Sequence, residues 1–124
     1  MGCQVPSVRI APQYETTDGP SAERVLKAGK FILDPWQRTV LDDWMSLTPD
    51  GKWACGTCGL SVPRQNGKSG LAEGRANAGM ILYNEQVIYT AHLQKTATET
   101  FEEMAAFFES PKLKPRGKDI KTAI

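Results

Sequence analysis

The sequence predicts an α/β fold in which a parallel sheet is flanked by helices. Three observations predict it. Runs of β-branched and small apolar residues alternate with segments of helical periodicity. Strand and helix follow one another along the chain, an order that favours parallel pairing with right-handed crossovers. The chain has 124 residues, 40% of them hydrophobic and 23% charged, which suits one domain with a modest core.

Residues 1–30 are rich in Pro, Gly, Ser and Thr and read as a flexible or loosely docked leader, with a short helix over 21–28. A helix is expected to begin at Asp34, a good N-cap, followed by Pro35 at the first helical position. Trp36, Val40, Trp44 and Leu47 recur on one face of it. Thr48-Pro49-Asp50-Gly51 is a turn signal. Residues 53–62 are mostly small and apolar and fit a buried strand. A helix over 69–83 can turn Leu71, Ala72, Ala76, Met80 and Tyr83 toward a sheet. Residues 86–91 are β-branched and aromatic, hence a second strand. Residues 96–110 form another helix, with Phe101, Met104, Ala105 and Phe108 at i, i+3, i+4 and i+7. From Pro111 onward the chain is a basic tail carrying Lys112, Lys114, Arg116, Lys118 and Lys121. Residues 31–124 thus make the α/β portion.

Composition excludes several classes. The formal net charge of +1 is no global signature of nucleic-acid binding. No apolar run is long enough to cross a bilayer and no signal-peptide core follows the N-terminus, so no membrane partner is expected. Met1-Gly2-Cys3 opens like a myristoylation signal, but Pro6 stands where Ser or Thr is needed. Three cysteines, an odd number, argue against a disulfide framework and read as reduced thiols.

The stretch Ser61-Val62-Pro63-Arg64-Gln65-Asn66-Gly67-Lys68-Ser69 carries the chemistry. Its end, Gly67-Lys68-Ser69, matches the G-x-x-x-x-G-K-[ST] phosphate loop, while Val62 replaces the first glycine. An apolar strand is expected before it and a helix after it. That context matters because backbone N–H groups at the helix start point at phosphate oxygens. Lys68 would reach the β- and γ-phosphates of a nucleotide and Ser69 would offer its hydroxyl to Mg²⁺.

Residues 62–69 resemble the deviant Walker A motif of the tailed-phage terminase large subunit, in which the first glycine is often absent and an arginine follows a small residue or proline. Phe31-Ile32-Leu33-Asp34-Pro35-Trp36-Gln37-Arg38 resembles that family's adenine-binding segment. Residues 88–97 resemble the strand and loop after the Walker A helix of helicase-like ATPases. Together the three segments cover residues 31–110. The resemblance implies a P-loop NTPase (RecA/helicase-like) sheet and a function as the ATP-binding part of a DNA-packaging motor. It implies ATP and Mg²⁺ as cofactors, with Gln65, Asn66, Gly67, Lys68 and Ser69 around the phosphates. Arg64 would stabilise charge on the transferring phosphoryl group, a task for which a planar, permanently charged guanidinium is suited. Trp36 and Gln37 would meet the adenine. Double-stranded DNA, the small terminase subunit and the capsid portal are the implied partners. An oligomer in the host cytoplasm is the implied setting.

Other residues admit plainer readings. Gln37 lies three residues after Asp34, which is a capping-box spacing. Trp36 shares a face with Val40 and Trp44 and suits a core position. Cys55-Gly56-Thr57-Cys58 has the spacing of a redox dithiol but no matching second pair for zinc, and inside a strand it reads as two buried structural cysteines. His92 follows a strand end, where it either caps the strand or faces a ligand. The basic tail is a solvated loop or a DNA contact.

The acidic strand that orders Mg²⁺ and activates water in such ATPases is not found after Ser69, since Glu102 and Glu103 fall in a helical pattern. The family's nuclease domain is not found either. The resemblance therefore implies the N-terminal part of an ATPase domain, with apolar strand edges left exposed. A non-catalytic prophage remnant and a fragment of another helicase-like ATPase are the alternative readings.

Overall fold

A computed structural model describes residues 2–113. The element order is β1 (Thr16–Thr17), α1 (Gly19–Ala28), α2 (Pro35–Trp44), β2 (Ser46–Leu47), α3 (Lys68–Tyr83) and α4 (Gln94–Phe107). It is an α/β arrangement dominated by helices. The strands β1 and β2 pair antiparallel, with Thr16 opposite Leu47 and Thr17 opposite Ser46.

The helix boundaries follow local chemistry. Pro35 begins α2 as expected, and Gln37 accepts from the Asp34 N–H at 2.8 Å, the second half of a capping box. The Thr48–Gly51 turn forms as expected: the Gly51 N–H donates to Thr48 O at 2.9 Å, and Gly51 has φ +79°. At the far end of α3, Asn84 adopts the left-handed conformation and the Glu85 N–H reaches back to Gly79 O at 3.2 Å.

The core lies where α1, α2 and α3 meet. Ala22, Leu26, Leu33, Leu41, Met45, Leu71 and Ala78 are buried together, with Phe31, Trp36, Val40 and Trp44 packed against them half-buried. Residues 1–30 hold more than loose chain: Arg9 makes a two-pronged ion pair with Asp43 of α2 at 2.7 Å, and the Tyr14 hydroxyl donates to the same carboxylate at 2.9 Å. Helix α1 puts Leu26 into the core with no exposure at all. Helix α3 accommodates it with small residues: a Cβ on Gly74 would stand 3.2 Å from Leu26 Cδ1. The buried face of α3 is Leu71, Gly74, Ala76, Asn77, Ala78 and Gly79, in place of the expected face through Met80 and Tyr83. Met104 on α4 and Phe108 at its C-cap are buried, and Phe101 on α4 is exposed.

The sheet requires the main correction. Residues 53–62 and 86–91 form no parallel ladder among the described residues. Trp53 makes one isolated antiparallel bridge to Leu47. The rest of both segments is irregular, and Ile88 is 92% exposed. A strand is stabilised by cross-strand neighbours more than by its own propensity, and beyond Trp53 and Ala54, which pair with β2, neither segment has one.

Candidate functional site

The loop that precedes α3 is shaped by two residues with positive φ, Gln65 at 61° and Gly67 at 79°. Gly67 is the N-cap of α3 and offers no side chain to it, so the helix starts without a cap. The first intrahelical bond runs from the Leu71 N–H to Gly67 O at 3.1 Å. The N–H groups of Lys68, Ser69 and Gly70 consequently have no protein partner. Arg64, Lys68 and Ser69 are exposed, and their side chains make no hydrogen bond or ion pair with any described residue. Free N–H groups and the positive end of a 16-residue helix dipole meet at the helix start, and Lys68, its first residue, carries an unpaired ammonium. Such a place attracts an anion with several oxygens.

The α2 terminus is tied to this loop. Gln37 Nε2 donates to Gly67 O at 3.1 Å, while Gln37 Oε1 accepts from Asp34. Gln37 is 5% exposed. Its amide is thus engaged at both ends, as cap and as tie. Trp36 lies beside the same loop: a Cβ on Gly67 would be 3.9 Å from its Cζ2. It is half-buried against the core, so its core role is realised and part of its ring stays open. Gln65 and Asn66 complete the exposed loop.

The remaining sequence candidates separate from this site. Cys55 is half-buried and Cys58 exposed, which corrects the expectation of two buried cysteines. The strand meant to bury them does not form. His92 is exposed in the turn before α4. Glu102 and Glu103 lie on α4, as their helical pattern predicts. Lys114, Arg116, Lys118 and Lys121 lie outside the described residues. Among the described residues no group of three or more His, Cys, Asp or Glu could hold a metal ion, and no helix is long and apolar enough to cross a membrane.

Two clusters had no signal in the sequence. Arg75 on α3 forms a two-pronged ion pair with Glu85, at 2.8 and 3.2 Å, and stacks 5.2 Å from the Trp53 ring centre. Trp53 in turn meets Tyr83 edge-on. Glu73 on α3 lies close to Glu103 of α4, and burial, with that neighbour's charge, pushes its carboxyl up to about 7. Neither pair has a sequence spacing that would reveal it.

No family model matches the sequence, and neither a curated protein nor a solved structure resembles it significantly.

Proposed function

We propose that this chain is the ATP-binding part of a phage DNA-packaging motor, the large subunit of a tailed-phage terminase. The intact protein would couple ATP hydrolysis to translocation of double-stranded DNA into the capsid. One observation carries the reading. An uncapped 16-residue helix begins at Lys68 directly after a left-handed Gly67, with three free backbone N–H groups and unpaired Arg64, Lys68 and Ser69 side chains around it.

These groups fit a magnesium-bound triphosphate. The backbone from Gln65 to Gly67, with Lys68, would hold the β- and γ-phosphates, and the Ser69 hydroxyl would take one position on Mg²⁺. Bound MgATP supplies the transferable phosphoryl group and the metal charge that offsets its negative oxygens. Arg64 would donate to the oxygens on which charge grows. Trp36 would stack on the base, while Gln37 acts on the loop through Gly67. In this reading residues 53–62 and 86–91 belong to a RecA-like parallel sheet completed by further strands. DNA, the small subunit and the portal are its partners, and the bacterial cytoplasm its compartment.

A titration of MgATP against the chain and against Lys68→Ala tests the reading. Binding that weakens by about tenfold or more in the variant is expected, since an ammonium–phosphate contact is charge-assisted. Equal affinity for both proteins, or no binding by either, would remove the proposal.

A further inference from the structure

The segment between Trp53 and the phosphate loop carries a second reactive arrangement. The chain bends at Gly56 and Thr57, between Cys55 and Cys58, and Cys55 lies near enough to act on the Cys58 thiol. Both line an open trough of about 530 Å³, together with Trp53, Arg75 and residues 86–89. Cys58 is exposed at its mouth. Nothing locks the bend: residues 55–61 make no backbone hydrogen bond with any described residue, and a Cβ on Gly56 would meet nothing within 4 Å. Ring closure across four residues therefore breaks no ladder and meets no packed neighbour.

A metal is the competing use of two close thiols. A closed zinc site takes four ligands; Glu85 lines the same trough but is held by Arg75, and among the described residues no group of three or more His, Cys, Asp or Glu could hold a metal ion. The geometry favours sulfur–sulfur chemistry.

We propose that Cys55 and Cys58 are a redox-active dithiol that a small-molecule disulfide, of the glutathione class, converts to an intrachain disulfide. The Cys58 thiolate attacks one sulfur of the reagent, whose S–S bond breaks and releases a first thiol. The Cys55 thiolate then attacks Cys58 Sγ in the mixed disulfide and releases a second thiol. Two electrons pass from the cysteine sulfurs to the reagent, and the two protons end on the released thiols. Burial and the neighbouring Cys55 push the Cys58 thiol up, with Arg75 opposing them. The reaction accordingly quickens as the pH rises. The proposal does not depend on nucleotide binding.

The test uses the full chain treated with excess oxidised glutathione, then with an alkylating maleimide, then with trypsin. Cleavage after Lys52 and Arg64 leaves both cysteines in one peptide. The expected peptide is lighter by two hydrogens and unalkylated, and dithiothreitol restores two reactive thiols. Cys58→Ser should give a lasting glutathione adduct or a free thiol at Cys55. Cys3→Ser should leave the result unchanged, since Cys3 lies apart in the N-terminal segment. A fully alkylated peptide, a persistent glutathione adduct on wild-type Cys58, or a dimer linked through these cysteines would overturn the proposal.

Discussion

Gln37 Nε2 donates to the carbonyl oxygen of Gly67 at 3.1 Å, so the residue that caps α2 also holds the residue that starts α3. The bond spans thirty positions in the chain. It converts a local capping device into a brace on the phosphate loop.

The brace makes a distinguishing prediction. Gln37→Glu keeps an acceptor for the Asp34 N–H but puts a carboxylate against Gly67 O. Gln37→Glu should therefore weaken MgATP binding by roughly threefold to tenfold, the worth of one hydrogen bond with its partner left unpaired. Calorimetric titration reads it. Wild-type affinity in this variant would show that Gln37 only caps α2.

Gly67→Ala meets two obstacles. The residue has φ +79°, and its new Cβ would stand 2.8 Å from Gln37 Nε2. A cost of about 1–2 kcal/mol is expected from the left-handed backbone alone, seen as a lower urea midpoint. MgATP binding should fall with it. An unchanged midpoint would mean that the loop relaxes without loss.

The Glu73–Glu103 pair gives stability a pH dependence. Glu73 titrates near 7 in the folded chain against 4.5 for an ordinary glutamate, so the folded state holds the extra proton between those values. Stability from this group is therefore present at low pH and lost as pH rises through that window. Glu73→Gln should raise the melting temperature at pH 8 by a few degrees relative to wild type and do little at pH 4. A difference between the two proteins that does not vary with pH would rule the raised Glu73 carboxyl out.

Leu26 tests whether α1 belongs to the folded body. Leu26→Ala empties a fully buried site against Gly74 and should cost about 2–5 kcal/mol in urea unfolding. A loss below about 1 kcal/mol would return α1 to the status of a loosely docked leader.

The sequence by itself determined the elements whose causes are local. Asp34, Pro35 and Gln37 start a helix because N-capping involves residues within one turn of each other. Gly67-Lys68-Ser69 starts another because only backbone geometry and a left-handed glycine are needed there. The Thr48–Gly51 turn has the same local origin. Tertiary structure decided the rest. Residues 53–62 and 86–91 have the composition of strands, yet a ladder needs partners at a fixed spacing, and the described fold supplies only Leu47 opposite Trp53. The same loss of pairing leaves Cys55 half-buried and Cys58 exposed. Helix α1 looked peripheral because its region is polar on average, but burial depends on the single face that Ala22 and Leu26 turn toward α3. The ties from Gln37 to Gly67, Arg75 to Glu85 and Glu73 to Glu103 join residues that only packing brings together. No spacing along a chain encodes the distance between two helices.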